Sequence, residues 1–258
     1  MNICIITGAS SGMGRACAEI MAMSLKKADE IWLIARRRER LEEFCKGLPS
    51  DKAAKIRIID GDITGSEILE SINSRLSKEN PRIMFLVNAA GFGKIGSVAR
   101  LSRDVQERMI KLNAEALLSM TRMCIPYMAE GTGRIINFAS AAAFLPQPGF
   151  AVYAATKSFV LSFSEALDFE LSKRGISVTA VCPGPVRTEF FDLAEEYGRI
   201  PVYKKLVMAR PEAVVKKALR DSVKRKPVSV YGITMKGLRV LGAAVPHRLI
   251  FKIMGMFK

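Results

Sequence analysis

Three residues in the middle of the chain have the types and spacing of a proton-transfer site. Tyr153 and Lys157 lie one helical turn apart in a segment with a helical pattern, so their side chains share one face. A phenol has an ordinary pKa of about 10, and a neighbouring ammonium group favours the phenolate and lowers that pKa. Ser140 ends the preceding predicted strand, where its hydroxyl can hold a carbonyl oxygen. The set therefore predicts general acid–base chemistry at an oxygen atom.

The stretch TGASSGMG near the N-terminus follows a short apolar run and opens a helical segment. Gly8, Gly12 and Gly14 permit a tight turn in which backbone N–H groups approach a pyrophosphate at a helix N-terminus. The same stretch contains G-x-S-x-G, in which Ser10 would be a nucleophile. That alternative needs a histidine partner, and the only histidine, His247, lies near the C-terminus. The pattern therefore favours a dinucleotide cradle over a serine hydrolase.

Short apolar runs alternate with helix-length segments along the chain, which is typical of a parallel sheet covered on both faces. We expect an α/β fold, a Rossmann-type doubly wound, mostly seven-stranded parallel sheet in a single domain over 1–258. Ligands of such sheets bind at the carboxyl ends of the strands. The predicted strands are Asn2–Ile6, Glu30–Ala35, Lys55–Asp60, Ile83–Asn88, Gly133–Ala139, Ser177–Cys182 and Pro227–Tyr231. The predicted helices are Gly12–Leu25, Arg37–Lys46, Gly65–Lys78, Arg103–Met128, Tyr153–Arg174 and Pro211–Lys224.

The end of the second predicted strand indicates which dinucleotide would bind. An acidic residue there usually holds the free 2′-hydroxyl of NAD(H), but the position is Ala35 and Arg36 follows. A guanidinium group suits a 2′-phosphate, and Arg15 beyond the glycine turn can assist. NADP(H) is therefore preferred, and NAD(H) stays possible. We expect the following arginines to form only a solvated helix face: Arg37, Arg38 and Arg40.

Asp62, in the stretch GDITG, follows the third predicted strand. Its carboxylate can accept a hydrogen bond from an adenine amino group. It can equally belong to the N-cap region of the next helix. The sequence leaves both interpretations open.

Taken together, these motifs resemble those of the short-chain dehydrogenase/reductase family, in its compact one-domain branch. The resemblance covers most of the chain, and it implies hydride transfer between a nicotinamide and a substrate carbon. The matching stretches are TGASSGMG, NAAG (Asn88–Gly91), Asn113 in KLNAE, Ser140, YAATK and PGPVRT (Pro183–Thr188).

The resemblance also implies a role for each matching residue. Tyr153 would be the general acid in reduction and the base in oxidation, and Lys157 would tune it and bind the nicotinamide ribose. Ser140 would polarise the substrate oxygen. Asn113 would hold a water that links Lys157 to solvent, or it is a packing residue that bends its helix. The expected cofactor contacts are Gly8, Ser10, Ser11, Gly12, Met13, Gly14, Arg15, Arg36, Asp62, Ile63, Asn88, Ala89, Gly91, Tyr153, Lys157, Pro183, Gly184, Val186 and Thr188.

Aromatic and small residues near these motifs predict an apolar substrate pocket, although core packing is the alternative for each aromatic. The segment 188–210 is expected to be a substrate loop. A lipophilic ketone or secondary alcohol is the preferred substrate class, such as a steroid, a long acyl chain or a sphingoid-like compound. The expected pocket residues are Phe92, Ala142, Phe144, Phe150, Phe190 and Phe191.

Composition and charge disfavour several other classes. The five cysteines are scattered without a C-x-x-C pair, which favours a reduced cytoplasmic protein with no metal site. No apolar run is long enough to span a bilayer, and the first residues lack the basic region of a signal peptide. The formal net charge is +15, yet no nucleic-acid-binding module is recognisable, so no nucleic acid partner is expected. A cofactor-binding regulator with little turnover remains an alternative to an enzyme.

The segment 234–258 is expected to form a basic amphipathic extension, which Pro246 divides into two short helices. Such an extension can lie peripherally on an anionic bilayer, or pack on its own domain or a partner subunit. The family resemblance further implies a homodimer or homotetramer that uses the two long helices predicted over Arg103–Met128 and Tyr153–Arg174.

Overall fold

The described residues, 1–194 and 208–250 of a computed structural model, form one parallel sheet with helices on both faces. Across the sheet the strand order is β3-β2-β1-β4-β5-β6-β7, so the connections reverse direction between β1 and β4. Every neighbouring pair is parallel. This confirms the predicted Rossmann-type fold class. The strands are β1 (Asn2–Thr7), β2 (Glu30–Ala35), β3 (Ile56–Asp60), β4 (Arg82–Asn88), β5 (Arg134–Phe138), β6 (Ser177–Val181) and β7 (Val228–Ser229).

Helices connect the strands and cover the sheet. Two short 3₁₀ turns, Ile125–Tyr127 and Ser172–Arg174, end the segments that precede β5 and β6. The α-helices in the described residues are α1 (Gly12–Ser24), α2 (Arg38–Lys46), α3 (Ser50–Ala53), α4 (Ser66–Glu79), α5 (Arg103–Ile110), α6 (Leu117–Cys124), α7 (Ala151–Leu171), α8 (Phe190–Ala194), α9 (Pro211–Val223) and α10 (Ile233–Ala244).

Alternate residues of the strands belong to opposite cores, as the pleat requires. Cys4 in β1 packs into a buried cluster that includes Val215 of α9. Its neighbour Ile5 belongs to a second cluster with Met120 of α6 and Leu167 of α7. Both faces of β1 are therefore buried, which explains why the strand is apolar throughout rather than alternating.

Close backbone packing at the end of β1 depends on two glycines. Gly8 has φ +68°, and a Cβ there would lie 2.7 Å from the backbone nitrogen of Ala90. A Cβ on Gly14 would lie 2.3 Å from the carbonyl oxygen of Gly8. Thr7 Oγ1 joins the same strand end to the loop after β4, because it accepts hydrogen bonds from Ala89 N and Ala90 N at 3.2 and 3.3 Å.

Three differences between the observed and the predicted elements bear on the candidate site. The single helix expected over Arg103–Met128 is α5 and α6 joined by a π-helical segment, Lys111–Ala116. The helix expected from Tyr153 begins two residues earlier, at Ala151. A 3₁₀ turn, Ala141–Phe144, was not predicted, and it forms where Ser140 caps the turn through the backbone N–H of Ala142.

The described part of the C-terminal extension packs on its own domain. In α10 a Cβ on Gly242 would lie 2.3 Å from the carbonyl oxygen of Phe144, so the helix approaches the 3₁₀ turn very closely. Arg239 in the same helix lies 3.4 Å from Glu165 of α7. Residues 251–258 of the extension lie outside the described residues. In the described part of the chain, no helix has the length and apolar character that crossing a bilayer requires.

We expect Gly14→Ala to destabilise the fold by about 2–3 kcal/mol, because the new methyl group meets backbone that cannot turn away. The matched control is Gly237→Ala in α10, where an added Cβ meets nothing within 4 Å. At that position the higher helix propensity of alanine should raise the free energy of unfolding or leave it unchanged. Urea unfolding of both variants measures the difference, and equal stability of the two would contradict the close packing.

Candidate active site

Helix α7 places Tyr153 and Lys157 on one face, and both side chains are buried with relative exposures of 7% and 5%. The helix begins after Phe150 and packs against β6 and the 3₁₀ turn at Ala141–Phe144. The predicted helical spacing of this pair is therefore present in the structure. Burial of both groups is the additional fact that the sequence spacing does not give.

Aromatic rings and one hydroxyl surround Tyr153. The ring of Phe150 stacks on it with centroids 4.3 Å apart, and the ring of Phe190 lies 5.4 Å away. Burial raises the pKa of Tyr153 to about 12, although a hydrogen bond with Ser140 acts to lower it. The expected lowering of the phenol pKa is thus absent here, because desolvation of the phenolate outweighs the hydrogen bond.

Lys157 is a buried cation that reaches the end of β5. Its Nζ donates a hydrogen bond to the carbonyl oxygen of Phe138 at 2.7 Å and lies 5.7 Å from the centroid of the Tyr153 ring. Burial lowers the pKa of Lys157 to about 8. A Cβ on Gly91 would lie 3.4 Å from this Nζ, so the glycine leaves space beside the ammonium group.

Asn113 lies in the π-helical segment and is almost fully buried. Its Oδ1 accepts from Phe92 N at 3.0 Å, while its Nδ2 donates to Phe92 O at 2.8 Å and to Thr156 Oγ1 at 3.1 Å. Asn113 thus joins the π-helical segment, the loop after β4 and helix α7. Single π-helical turns frequently occur at functional sites. Asn113 can therefore be the packing residue of the second interpretation and still lie at the candidate active site.

The glycine turn at the start of α1 has the features that an anionic group requires. Ser11 is the N-cap residue, and its side chain makes no capping hydrogen bond to the first helical N–H groups. A Cβ on Gly12, which has φ +53°, would lie 3.5 Å from the Thr188 side chain. The turn therefore faces the segment after β6, and the residues present fit a dinucleotide pyrophosphate. Met13 packs against the core cluster on this face of the sheet.

Arginines at the end of β2 are arranged differently from the prediction. Arg36 is 72% exposed in its side chain and lies 3.8 Å from Asp62. Arg37 was expected on a solvated helix face, but its Nε and Nη2 both lie 3.4 Å from Ser10 Oγ. It is the N-cap residue of α2, so its side chain turns back toward the glycine turn. Sequence periodicity does not give this direction, because it depends on a distant partner, Ser10.

Two other residues expected at the cofactor have partners within the protein. Arg15 lies 2.8 Å from Glu19 and stacks over the ring of Phe44, so its side chain is directed along α1 and toward α2. Asp62 Oδ1 accepts from both N and Oγ1 of Thr64, and Gly65 is the N-cap residue of α4. Asp62 therefore stabilises the turn before α4 without being its N-cap. Ile63, next to it, is buried in the core.

The loop after β4 and the segment after β6 complete the cleft. The Asn88 side chain donates to Thr121 at 3.0 Å and Asn137 at 2.9 Å, so it stabilises the strand end from inside. Val186 pairs with Ala209 in an isolated bridge beyond β6. The backbone oxygen of Pro183 accepts from Ala141 N, and Ala89, Gly184 and Thr188 are half-buried in these two segments.

The predicted substrate residues fall into two groups. One cluster contains Tyr153 and Ala142 with the partly buried rings of Phe92, Phe150 and Phe190. Phe191 contacts this cluster through the edge of Phe190. Phe144 packs elsewhere, against a cluster around Val160 and Cys182, because the 3₁₀ turn directs it toward α10. The structure therefore separates Phe144 from the other five.

Gly93 is a residue of this region that the sequence analysis missed. A Cβ there would lie 2.7 Å from the Tyr153 ring and 2.9 Å from both Phe150 and Phe190. Only glycine lets the three rings approach this segment. The signal in the sequence is the second glycine of the stretch GFG, two residues after the end of NAAG. Residues 195–207 of the predicted substrate loop, which include Tyr197 and Tyr203, lie outside the described residues.

A doubly wound parallel sheet with a glycine turn and a Ser–Tyr–Lys group at its carboxyl edge, in which the tyrosine and lysine are buried, defines a Rossmann-type oxidoreductase. The family model described as short chain dehydrogenase matches residues 2–197. The chain belongs to this family.

Individual relatives agree with the family. The chain is 34% identical over 198 residues to sulfoacetaldehyde reductase 2 of Chromohalobacter salexigens, covering 73% of this chain and 74% of that protein. It is 29% identical over 255 residues to the very-long-chain 3-oxoacyl-CoA reductase of Bos taurus, covering 96% and 77%. A solved short-chain dehydrogenase from Sphingobium yanoikuyae in complex with NADPH has a TM-score of 0.78, with 30% identity and coverage of 95% and 97%.

We expect burial of Lys157 to make stability depend on pH. Burial lowers its pKa from the ordinary 10.5 to about 8, so between these values the unfolded chain binds more protons than the folded chain. This contribution therefore destabilises the fold below pH 8 and disappears as pH rises to 10.5. In Lys157→Met the contribution is absent at every pH. The wild type should gain stability relative to Lys157→Met across this window, as measured by denaturant unfolding at each pH.

The matched control is Lys173→Met, at an exposed lysine in the 3₁₀ turn that follows α7. Its free energy of unfolding should run parallel to that of the wild type across the same pH range. A Lys157→Met curve that also runs parallel to the wild type would contradict the effect of burial.

Proposed function

We propose that this protein is an NADP(H)-dependent oxidoreductase that interconverts a ketone and a secondary alcohol, with Tyr153 as the general acid or base. The observation that supports it best is that Tyr153 and Lys157 are buried on one helix, with Ser140 hydrogen-bonded to Tyr153. When bound, the nicotinamide cofactor supplies or accepts the hydride. The protein's own residues bind and orient the cofactor and the substrate, and they transfer the proton.

The proton is proposed to reside on the Tyr153 hydroxyl in the reduction direction. The raised pKa keeps this hydroxyl protonated at neutral pH, which suits a general acid. Ser140 hydrogen-bonds the same hydroxyl and can also donate to a substrate oxygen placed between the two. In the oxidation direction Tyr153 must lose its proton, and the nearby Lys157 ammonium favours that form when charged.

Lys157 and Asn113 are proposed to position the reacting groups. Lys157 Nζ has donors beyond its hydrogen bond to Phe138 O, and these suit the hydroxyls of a cofactor ribose. Asn113 fixes the backbone of Phe92 through two hydrogen bonds and holds Thr156 of α7. It therefore keeps the loop after β4 in register with the helix that carries Tyr153.

The proposed cofactor contacts lie at the carboxyl ends of the strands described above. The first N–H groups of α1 suit the pyrophosphate, while Arg36 and Arg37 suit a 2′-phosphate. The absence of an acidic residue at Ala35 supports NADP(H) over NAD(H). The solved Sphingobium yanoikuyae relative in complex with NADPH is compatible with that preference.

The substrate is proposed to be lipophilic. The rings of Phe92, Phe150 and Phe190 surround Tyr153 and form an apolar cluster with Ala142. An apolar environment favours a carbonyl on an apolar frame over an anionic or sugar-like one. The bovine relative is a reductase of very-long-chain 3-oxoacyl-CoA, a substrate with a long apolar chain.

A homo-oligomer is proposed to form through α5, α6 and α7, which carry exposed apolar side chains. Those residues are Ile110, Leu118, Phe159 and Phe169. Peripheral membrane contact is a separate proposal for α10, whose outer side exposes Ile233, Val240 and Leu241 next to Lys236 and Arg239.

We expect Tyr153→Phe to lower the rate of NADPH oxidation with a lipophilic ketone by 10²-fold or more, because the proton donor is lost, an effect typically of about 10²–10⁴. NADPH affinity, measured by its fluorescence, should change little. The matched control is Tyr127→Phe, which removes a hydroxyl that contacts only Ser77 among the described hydrogen bonds. NADPH binding without turnover of any ketone by the wild type would favour the regulator alternative.

Cofactor preference is tested by the arginines at the end of β2. Arg37→Ala should weaken NADPH binding about tenfold or more, since charge-assisted hydrogen bonds are lost, and should leave NADH binding nearly unchanged. Arg36→Ala should act in the same direction. Arg38→Ala is the control, because Arg38 pairs with Glu42 and Asp60. Tighter wild-type binding of NADH than NADPH would contradict the preference.

A further inference from the structure

Glu189 forms an ion-pair cluster that no role assigned above requires. Its carboxylate lies 3.1 Å from Arg37 Nη1 and 2.5 Å from Arg40 Nη1, so one oxygen faces each guanidinium. These arginines lower the pKa of Glu189, with the hydrogen bond from Arg40 the largest cause. Both ion pairs therefore favour the ionised form of the carboxylate.

The cluster connects two distant parts of the sheet. Arg37 and Arg40 belong to the end of β2 and to α2, whereas Glu189 follows β6. In the sheet, β1, β4 and β5 lie between these strands. The ion pairs therefore cross above the carboxyl ends of the central strands, which is where a doubly wound sheet binds its ligand.

The same arginine also contacts the glycine turn. Arg37 uses Nη1 for Glu189, while its Nε and Nη2 lie 3.4 Å from Ser10 Oγ. Next to Glu189, the side chain of Thr188 lies 3.5 Å from the position of a Cβ on Gly12. The carboxylate is thus held beside the turn proposed to carry the pyrophosphate, on the side of the β2 end.

A carboxylate and a phosphate use the same guanidinium donors. Both accept paired N–H hydrogen bonds from arginine, so a 2′-phosphate near Arg37 and Arg40 would meet donors already used by Glu189. A carboxylate and a phosphate that share these donors would also repel each other. A dinucleotide without the 2′-phosphate has no group that must take these donors.

We propose that Glu189 is a specificity-determining residue that competes with the cofactor 2′-phosphate for Arg37 and Arg40, and so limits the preference for NADP(H) over NAD(H). This inference rests on the proposed use of a nicotinamide dinucleotide at the glycine turn. Removal of the carboxylate frees both guanidinium groups for the phosphate. Removal of the carboxylate gives NAD(H) no comparable gain in affinity, because NAD(H) has no 2′-phosphate.

The test measures dissociation constants of NADP⁺ and NAD⁺ by calorimetry, without substrate, for the wild type and Glu189→Gln. Glu189→Gln should bind NADP⁺ about tenfold more tightly, the scale expected for two exposed ion pairs, and NAD⁺ within twofold of the wild type. Glu189→Ala should give the same result, since the side chain is 45% exposed and supports no core packing. Adenosine 2′-monophosphate should show the same gain as NADP⁺.

The matched control is Glu42→Gln, which removes the partner of Arg38 on the same helix without touching Ser10. Its affinities for both dinucleotides should equal those of the wild type. Unchanged or weaker NADP⁺ binding in both Glu189 variants overturns the competition, as does an equal gain for NAD⁺, while the proposed function stands. A wild type that binds neither dinucleotide overturns the proposed function and the competition together.

Discussion

The close approach of backbone at the end of β1 is the constraint on which the rest of the structure depends. Gly8 and Gly14 let the start of α1 and the loop after β4 pack against one strand end, where any Cβ would overlap backbone atoms. Thr7 Oγ1 then holds that loop by two hydrogen bonds. Because β1 lies between β2 and β4 in the sheet, this packing sets the distance between the glycine turn and the loop after β4.

Burial shifts the pKa values of the two reactive groups in opposite directions. It disfavours the charged form of each, so the pKa of Tyr153 rises and that of Lys157 falls. The hydrogen bonds from Ser140 and to Phe138 O offset part of that cost. The site is therefore held by a few polar contacts inside an aromatic cluster, and a small change in the position of Phe190 or Gly93 would alter it.

Sequence patterns predicted the doubly wound parallel sheet and the helix that carries Tyr153, because apolar runs and helical spacing depend on local chemistry. They did not predict the π-helical segment at Asn113, since it is stabilised by contacts with Phe92 and Thr156 that lie far away in sequence. The direction of Arg37 also depended on a distant partner, Ser10. Phe144 was grouped with the pocket because of its sequence position, but the 3₁₀ turn places it against α10.

The sequence by itself determined the fold class, the family and the identity of the residues with reactive side chains, because each follows from residue type and spacing. The tertiary structure decided which of these residues are buried together and which have other partners. Arg15 pairs with Glu19 and Asp62 with Thr64, whereas Glu189 reaches Arg37 from the far side of the sheet. The physical reason is that pKa values and ion pairs depend on distance and burial, and parallel strands bring together residues that the chain keeps far apart.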